Sequence, residues 1–444
     1  MQQKTIAQAL GSLVADQGGR VYYVGGYVRD RILGAPNKDV DVEVHGITPQ
    51  TLESILDNLG TRMEMGSSFG VYGLKGFDID IAMPRQETAT GRGHKDFKVE
   101  VDPFIGTRKA AMRRDFTCNA MMEDVLTGEV IDHFGGLEDL KQGILRHVSD
   151  ESFPEDALRV LRCAQFAARF QFTVAPETTA LCRGLDLSYL PRERIFEEMR
   201  KALLKAEKPS IFFEVLREMD QLEVWFPEVE ALFGVPQSPK FHVEGDVWTH
   251  TMMVLDAAAQ RRDQVSNPTA FMLSALCHDF GKALCSQEVN GVIHAYAHET
   301  EGLPEVKRFL NRLTSEKSLI HYVLNMTELH MKPNKMAEVS SVKAMNRLFD
   351  QSVEPSDLVH LAVCDEEGRI QETPRPSKEA LLRQRLEVFR EYMARPCVMG
   401  ADLVDAGLKP CKEFHDLLIL SHKLHLAGIP KEDALRQVLA QVKK

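Results

Sequence analysis

The chain reads as an α+β protein, with a small mixed α/β head of roughly 140 residues followed by a helical remainder. Three observations carry that reading. Short strand-like runs at 21–24, 40–44, 71–74 and 77–82 are interleaved with stretches of helical period at 1–18 and 49–59. Beyond the head, apolar residues recur at helical spacing, as in FPEDALRVLRCAQFAARF and WTHTMMVLDAA. At 444 residues the chain is too long for one core, and the length favours about three domains.

Residues 1–18 place Ile6, Leu10, Leu13 and Val14 on one helical side. The run VYYV then gives a strand, Gly25-Gly26 a turn, and 27–33 a helix opening on that turn. Paired glycines let backbone N–H groups approach a phosphate, and a helix N-terminus favours negative charge. Gly26 and Arg29 are therefore candidate triphosphate contacts, Arg29 as a charge-assisted donor. In the next strand Val40 and Val42 face a core, so Asp39 and Asp41 share the opposite face. Two such carboxylates can hold one or two Mg²⁺ ions, which clamp the attacking and leaving oxygens of a phosphoryl or nucleotidyl transfer. Glu43, Asp78 and Asp80 are candidates for a third carboxylate; a solvated sheet face accounts for Asp78 and Asp80 equally well. Thr48-Pro49 starts a helix buried through Leu52, Ile55, Leu56 and Leu59. The polar segment 87–103 reads as a mobile loop.

The net charge of −11 argues mildly against a chain coated by nucleic acid, but residues 85–114 hold eight Lys/Arg against four Asp/Glu. A nucleic-acid end held in one groove needs only such a local surface. No apolar run approaches a membrane span, and the N-terminus lacks the basic start and apolar block of a signal peptide. Eight scattered cysteines without CxxC pairs read as reduced thiols of a cytoplasmic protein.

Further motifs follow in order. Arg113, Arg114 and Asp115 stand together in AMRRDFTCNAM; adjacent arginines can bind a triphosphate or RNA phosphates. EVIDHFGGLEDL follows at 129–140. On the helix expected at 153–170, Asp156, Arg159 and Arg162 recur along one side, where an acceptor and two fixed donors can read a base edge; an ordinary salt-bridged face has the same spacing. PRERIFEEMRKAL then carries Glu193, Arg194 and Glu198.

In this order the motifs resemble those of the class II tRNA CCA-adding nucleotidyltransferases and bacterial poly(A) polymerases: GGxVRDxLLG with DxD, RRDFTxNA, DPxGGxxDL with His133 in place of proline, the EDxxR nucleotide-selecting motif, and ERxxxE. The resemblance spans 21–203. It implies a nucleotidyltransferase head at 1–145 and a helical neck and body at 146–235. By it, Asp39 and Asp41 hold catalytic Mg²⁺, Gly26, Arg29 and Arg114 position phosphates, Asp156 and Arg159 read CTP or ATP, Arg162 supports them, and the partner is the 3′ end of tRNA. Glu193, Arg194 and Glu198 would hold the neck helices.

In the second half, His250, the pair His278-Asp279 and Asp365 form an H…HD…D series. Four such groups brought together by helices can bind a metal that activates water for phosphate-ester hydrolysis. The series resembles the HD phosphohydrolase superfamily, particularly the HD domain joined to some bacterial CCA-adding enzymes. That implies an HD domain at 236–375 with Ni²⁺, Mn²⁺ or Mg²⁺, a 2′,3′-cyclic phosphodiesterase or phosphatase activity, and His298, His330 and Lys282 as accessory groups. Residues 376–444 form a helical tail. The expected function is template-free addition of CCA to tRNA from CTP and ATP. A-adding, CC-adding and poly(A) polymerases share these motifs. An HD phosphohydrolase with an RNA-binding head would not need the intact DxD, and a tRNA-binding scaffold would need neither metal site. The sequence leaves monomer and homodimer equally open.

Overall fold

The computed structural model describes residues 2–37, 39–64, 70–89, 97–239, 242–370, 376–410 and 412–442. The chain divides into two compact units, residues 1–202 with 211–225, and residues 203–210 with 226–444.

The first unit opens with α1 (Gln2–Ala15), β1 (Arg20–Val24), α2 (Gly26–Ile32), β2 (Val40–His45), α3 (Pro49–Leu59), β3 (Arg62–Glu64), β4 (Val71–Leu74) and β5 (Ile79–Ala82). After β6 (Arg85–Ala89) and β7 (Phe97–Val101) come α4 (Thr107–Met112), β8 (Met122–Asp124), β9 (Val130–Ile131) and α5 (Gly136–Gln142). The seven-stranded sheet has the order β3-β4-β5-β2-β1-β8-β9. Within it β2 and β5 run parallel and their other neighbours antiparallel. Val40, Val42 and Val44 share one buried face of β2, and β1 is buried on both faces from Val21 to Val24. On α1 the buried residues include Ala7, Leu10 and Val14, whereas Leu13 is exposed. The Thr48 side chain caps α3 by accepting from Thr51 N.

The segment read as a loop at 87–103 contains paired strands, β6 against β7, with Arg85 opposite Val101. The alternation in FKVEV is strand-like and outweighs the polar composition. Residues 90–96 lie outside the described residues.

Helices dominate from here, with β10 (Ile144–Leu145), α6 (Leu158–Phe170), β11 (Thr173–Val174), α7 (Pro176–Arg183) and α8 (Arg192–Lys205). The expected helix from 153 is broken: a single 3₁₀ turn covers Phe153–Glu155, and α6 begins only at Leu158. Asp156 sits at the joint in extended conformation. Its carboxylate accepts from Leu158 N at 3.1 Å, a side-chain bond that competes with helix continuation.

The second unit is helical apart from the hairpin Ser286–Val289 and Val292–Ala295. Its core helices Val247–Ala259, Pro268–Cys277, Lys317–Leu329 and Pro355–Glu367 are buried through residues such as Leu255, Phe271, Met326 and Leu361. Near the C-terminal end, Val398, Leu403, Leu417, Ala434 and Val438 form a separate apolar cluster. No helix among the described residues is long and apolar enough to cross a membrane.

Candidate active site and candidate metal centre

A cleft of about 980 Å³ lies in the first unit, lined among others by Asp41, Glu43, Asp80, Arg114, Asp156, Arg159 and Arg194. The parallel register sets Asp41 directly opposite Asp80. Burial, then the neighbouring Asp80 carboxylate, pushes Asp41 up from 3.8 to about 6. Asp80 is raised as well, by burial and by Asp78 and Asp39. Asp39 stands one residue before β2, exposed, and its charge acts on both. Crowded, partly desolvated carboxylates fit a divalent cation, which would relieve their repulsion.

Glu43 is less available. Its carboxylate meets His45 Nε2 at 2.7 Å and accepts from Arg114 Nη2 at 3.4 Å. Burial works to protonate Glu43, but these partners outweigh it and hold its carboxyl below the usual range. Arg114 lines the cleft, and its Nε is buried without a hydrogen-bond partner among the described residues. Gly25, with φ of 65°, lets Arg114 pass: a Cβ there would lie 3.0 Å from its Nη1.

The structure redirects three sequence expectations. Arg29 is buried, and it donates to Asp30 Oδ1 and to Asn119 Oδ1 at 2.6 Å while stacking over Phe166 and Phe170. Its donors are occupied inside the fold rather than offered to a triphosphate. Asp156 is at the joint before α6, so it does not share a helical face with Arg159 and Arg162. Arg162 turns away, donating twice to the buried Asp115 Oδ2 at 2.9 and 2.5 Å. Arg159 does line the cleft; Nη1 donates to Ser152 O and Nη2 to Arg113 O, fixing its plane. Gly26 begins α2 beside Arg29.

A second cluster of chemistry-bearing residues lies within the second unit. His250 Nε2 lies 3.1 Å from Asp365 Oδ1 and 3.6 Å from Asp279 Oδ2. Asp279 is also 3.1 Å from His278 Nε2, 3.2 Å from His298 Nε2, 3.7 Å from His330 Nε2 and 2.6 Å from Lys282 Nζ. Every one of these residues is buried. The Nδ1 atoms of His278, His298 and His330 each face a backbone carbonyl, of Ala275, Ala295 and Thr327, and that of His250 faces Gly368. A carbonyl only accepts, so Nδ1 carries hydrogen and the second nitrogen is turned inward. The inward atoms of His278, His298 and His330 and both Asp279 oxygens lack an aligned hydrogen-bond partner among the described residues. Burial and the neighbouring His278 push His330 down to about 3, so its ring is neutral.

Ligand atoms of His250, His278 and Asp279 lie within 4.8 Å of one another, as do those of Asp279, His298 and His330. This donor set fits one or two transition-metal ions. Glu244 was not legible as part of it. Its carboxylate meets His250 Nδ1 at 3.2 Å and His242 Nδ1 at 2.8 Å, the position of a group that orients a ligand histidine. The local signal was HVEGD just before the helix that carries His250.

Residues 21–146 match the family described as the poly A polymerase head domain, and 171–233 the probable RNA and SrmB-binding site of polymerase A. The multifunctional CCA protein of Actinobacillus pleuropneumoniae is 38% identical over 72% of this chain and 77% of its own. That of Pasteurella multocida is 37% identical over 88% of this chain and 92% of its own. The chain belongs to the CCA-adding nucleotidyltransferase and poly(A) polymerase family. The enzyme shares its fold with the Thermotoga maritima CCA-adding enzyme complexed with tRNA-CCA, at a TM-score of 0.66, 21% identity, and coverage of 99% of this chain and 95% of that one. The Bacillus stearothermophilus CCA-adding enzyme in complex with CTP gives a TM-score of 0.67, 21% identity, and coverage of 100% and 97%. In its second unit the enzyme carries groups able to ligate a divalent metal.

Proposed function

We propose that the enzyme builds or repairs the 3′-terminal CCA of tRNA, using CTP and ATP without a nucleic-acid template. The observation that carries this is one cleft lined both by the Asp41–Asp80 pair and by Asp156 and Arg159. Asp41, Asp39 and Asp80 would hold Mg²⁺. A bound divalent cation supplies activation of the tRNA 3′-hydroxyl and charge neutralisation on the departing pyrophosphate. Arg114, whose guanidinium lines the cleft beside Gly25, positions the triphosphate. The Asp156 carboxylate accepts from an exocyclic amino group, and Arg159 donates to the adjoining ring nitrogen. Incubation with tRNA lacking CCA, CA or A tests this directly. Addition of the missing residues from CTP and ATP is expected; A-only, CC-only or poly(A) products would replace the reading with another activity of the family.

The buried cluster in the second unit supports a second active centre, an HD-type phosphohydrolase acting on 2′,3′-cyclic or terminal phosphates. His250, His278, Asp279 and Asp365 would hold Ni²⁺, Mn²⁺ or Mg²⁺, with His298 and His330 completing a second ligand group around Asp279. A bound metal lowers the pKa of its water toward neutrality and so supplies a nucleophile. Lys282, held by Gln237 and Asp279, keeps a cation beside that carboxylate. Assay on 2′,3′-cyclic nucleotides with each metal tests this; turnover no greater than that of Asp279→Ala would end it.

A further inference from the structure

We propose that Arg194 is a positioning residue for base selection, acting through Asp156; this rests on the reading that Asp156 and Arg159 select the base. Arg194 lies on α8, in the stretch whose sequence pattern suggested only a neck-holding role. In the structure its two partners in that pattern stay clear of Asp156: Glu193 meets Arg192, and Glu198 meets Lys201 at 3.0 Å and faces Arg162 at 4.0 Å. Arg194 instead reaches into the cleft wall and grips Asp156 with both terminal nitrogens, Nη1 to Oδ1 at 3.3 Å and Nη2 to Oδ2 at 2.8 Å.

A carboxylate offers two lone pairs on each oxygen. On Asp156, Oδ1 takes Leu158 N at 3.1 Å as well as Arg194, so both its sites are filled. Oδ2 takes Arg194 alone among the described residues and keeps one site open. The backbone bond from one side and the planar guanidinium from the other fix the plane of the carboxylate, and with it the direction of that open acceptor. A single acceptor of fixed direction suits the exocyclic amino group of cytosine or adenine. Uracil and guanine present a carbonyl oxygen at the corresponding position, which an ionised carboxylate repels. Arg194 thus makes Asp156 a reader of the amino group shared by the two nucleotides, at an extended joint where the Asp156 carbonyl, accepting from Arg159 N at 3.0 Å, ties its backbone to α6.

The test is a double-mutant cycle of Arg194→Met and Asp156→Asn, read as kcat and KM for CTP and ATP and as misincorporation of UTP. Arg194→Met is expected to raise KM for CTP and ATP and to lower CTP-over-UTP preference, each on the order of tenfold, as for a lost charged hydrogen bond. At saturation kcat should stay within about threefold, and Arg194→Met in the Asp156→Asn background should add less than about twofold, because the two act as one unit. Arg194→Lys keeps the charge without the fork; it should recover part of the KM but little of the preference, and it carries the test if Arg194→Met does not fold. Equal loss of kcat for all nucleotides, or effects additive with Asp156→Asn, would overturn the positioning role. If Asp156→Asn itself leaves the CTP-over-UTP preference unchanged, the base-reading assignment fails instead.

Discussion

Replacing Asp41 with Asn should stabilise the metal-free enzyme and, with Mg²⁺ supplied, remove nucleotide addition. Asp41 is raised from 3.8 to about 6 by burial and by Asp80. A group whose folded pKa is raised contributes stability below its unfolded pKa, and that contribution is lost as pH rises through the folded value. The loss therefore runs from about pH 4 to about pH 6, and at pH 8 it is complete. Roughly two pH units at about 1.4 kcal/mol each make the charged carboxylate cost up to about 3 kcal/mol in EDTA. For a unit of this size that corresponds to a rise in melting temperature of about 6–12 °C for Asp41→Asn at pH 8. Calorimetry of EDTA-treated wild type and variant at pH 5 and pH 8 measures it. The gap should narrow at pH 5, and Mg²⁺ should stabilise wild type but not the variant. A variant that melts no higher than wild type at pH 8 would refute the crowded-carboxylate argument.

Further outcomes follow from the same contacts. Arg162→Met strands the buried Asp115 carboxylate and should cost about 3 kcal/mol or more at neutral pH by urea titration. Asp115 is held below its usual range by Arg162 despite burial, so its contribution is present above the unfolded carboxyl pKa and the difference between wild type and variant should shrink under acid. Gly281→Ala would drive a Cβ into the backbone carbonyl of His298; bound transition metal, measured by elemental analysis, should fall sharply while CCA addition persists. Asp41→Ala should abolish addition and leave cyclic-nucleotide hydrolysis intact; equal loss of both would contradict two separate centres.

Much of the first 45 residues could be read directly, because alternation, the Gly25-Gly26 turn and the acidic pair are local signals. What the sequence concealed is non-local. Arg29 is in a glycine-turn motif that invites a phosphate, yet Asn119, ninety positions away, claims its guanidinium. Asp80 was one of three candidates for a third carboxylate, and its place directly opposite Asp41 comes from a strand register that spacing does not reveal. Asp156, Arg159 and Arg162 fit one helical side by spacing, but the side chain of Asp156 bonds Leu158 N and the helix starts two residues later. The H…HD…D series was recognisable although His250 and Asp365 are 115 positions apart, because its residue types are rare together on apolar helices. Glu244, which meets His242 and His250, stands outside that series, and HVEGD alone gave no reason to join it to the cluster.

The most direct measurement is the structure of the enzyme with CTP and Mg²⁺. The triphosphate is expected at Asp41, Asp80 and Arg114 and the cytosine amino group on Asp156 Oδ2, with Arg159 at the ring nitrogen. A nucleotide bound outside this cleft, or with its base turned from Asp156, would contradict it.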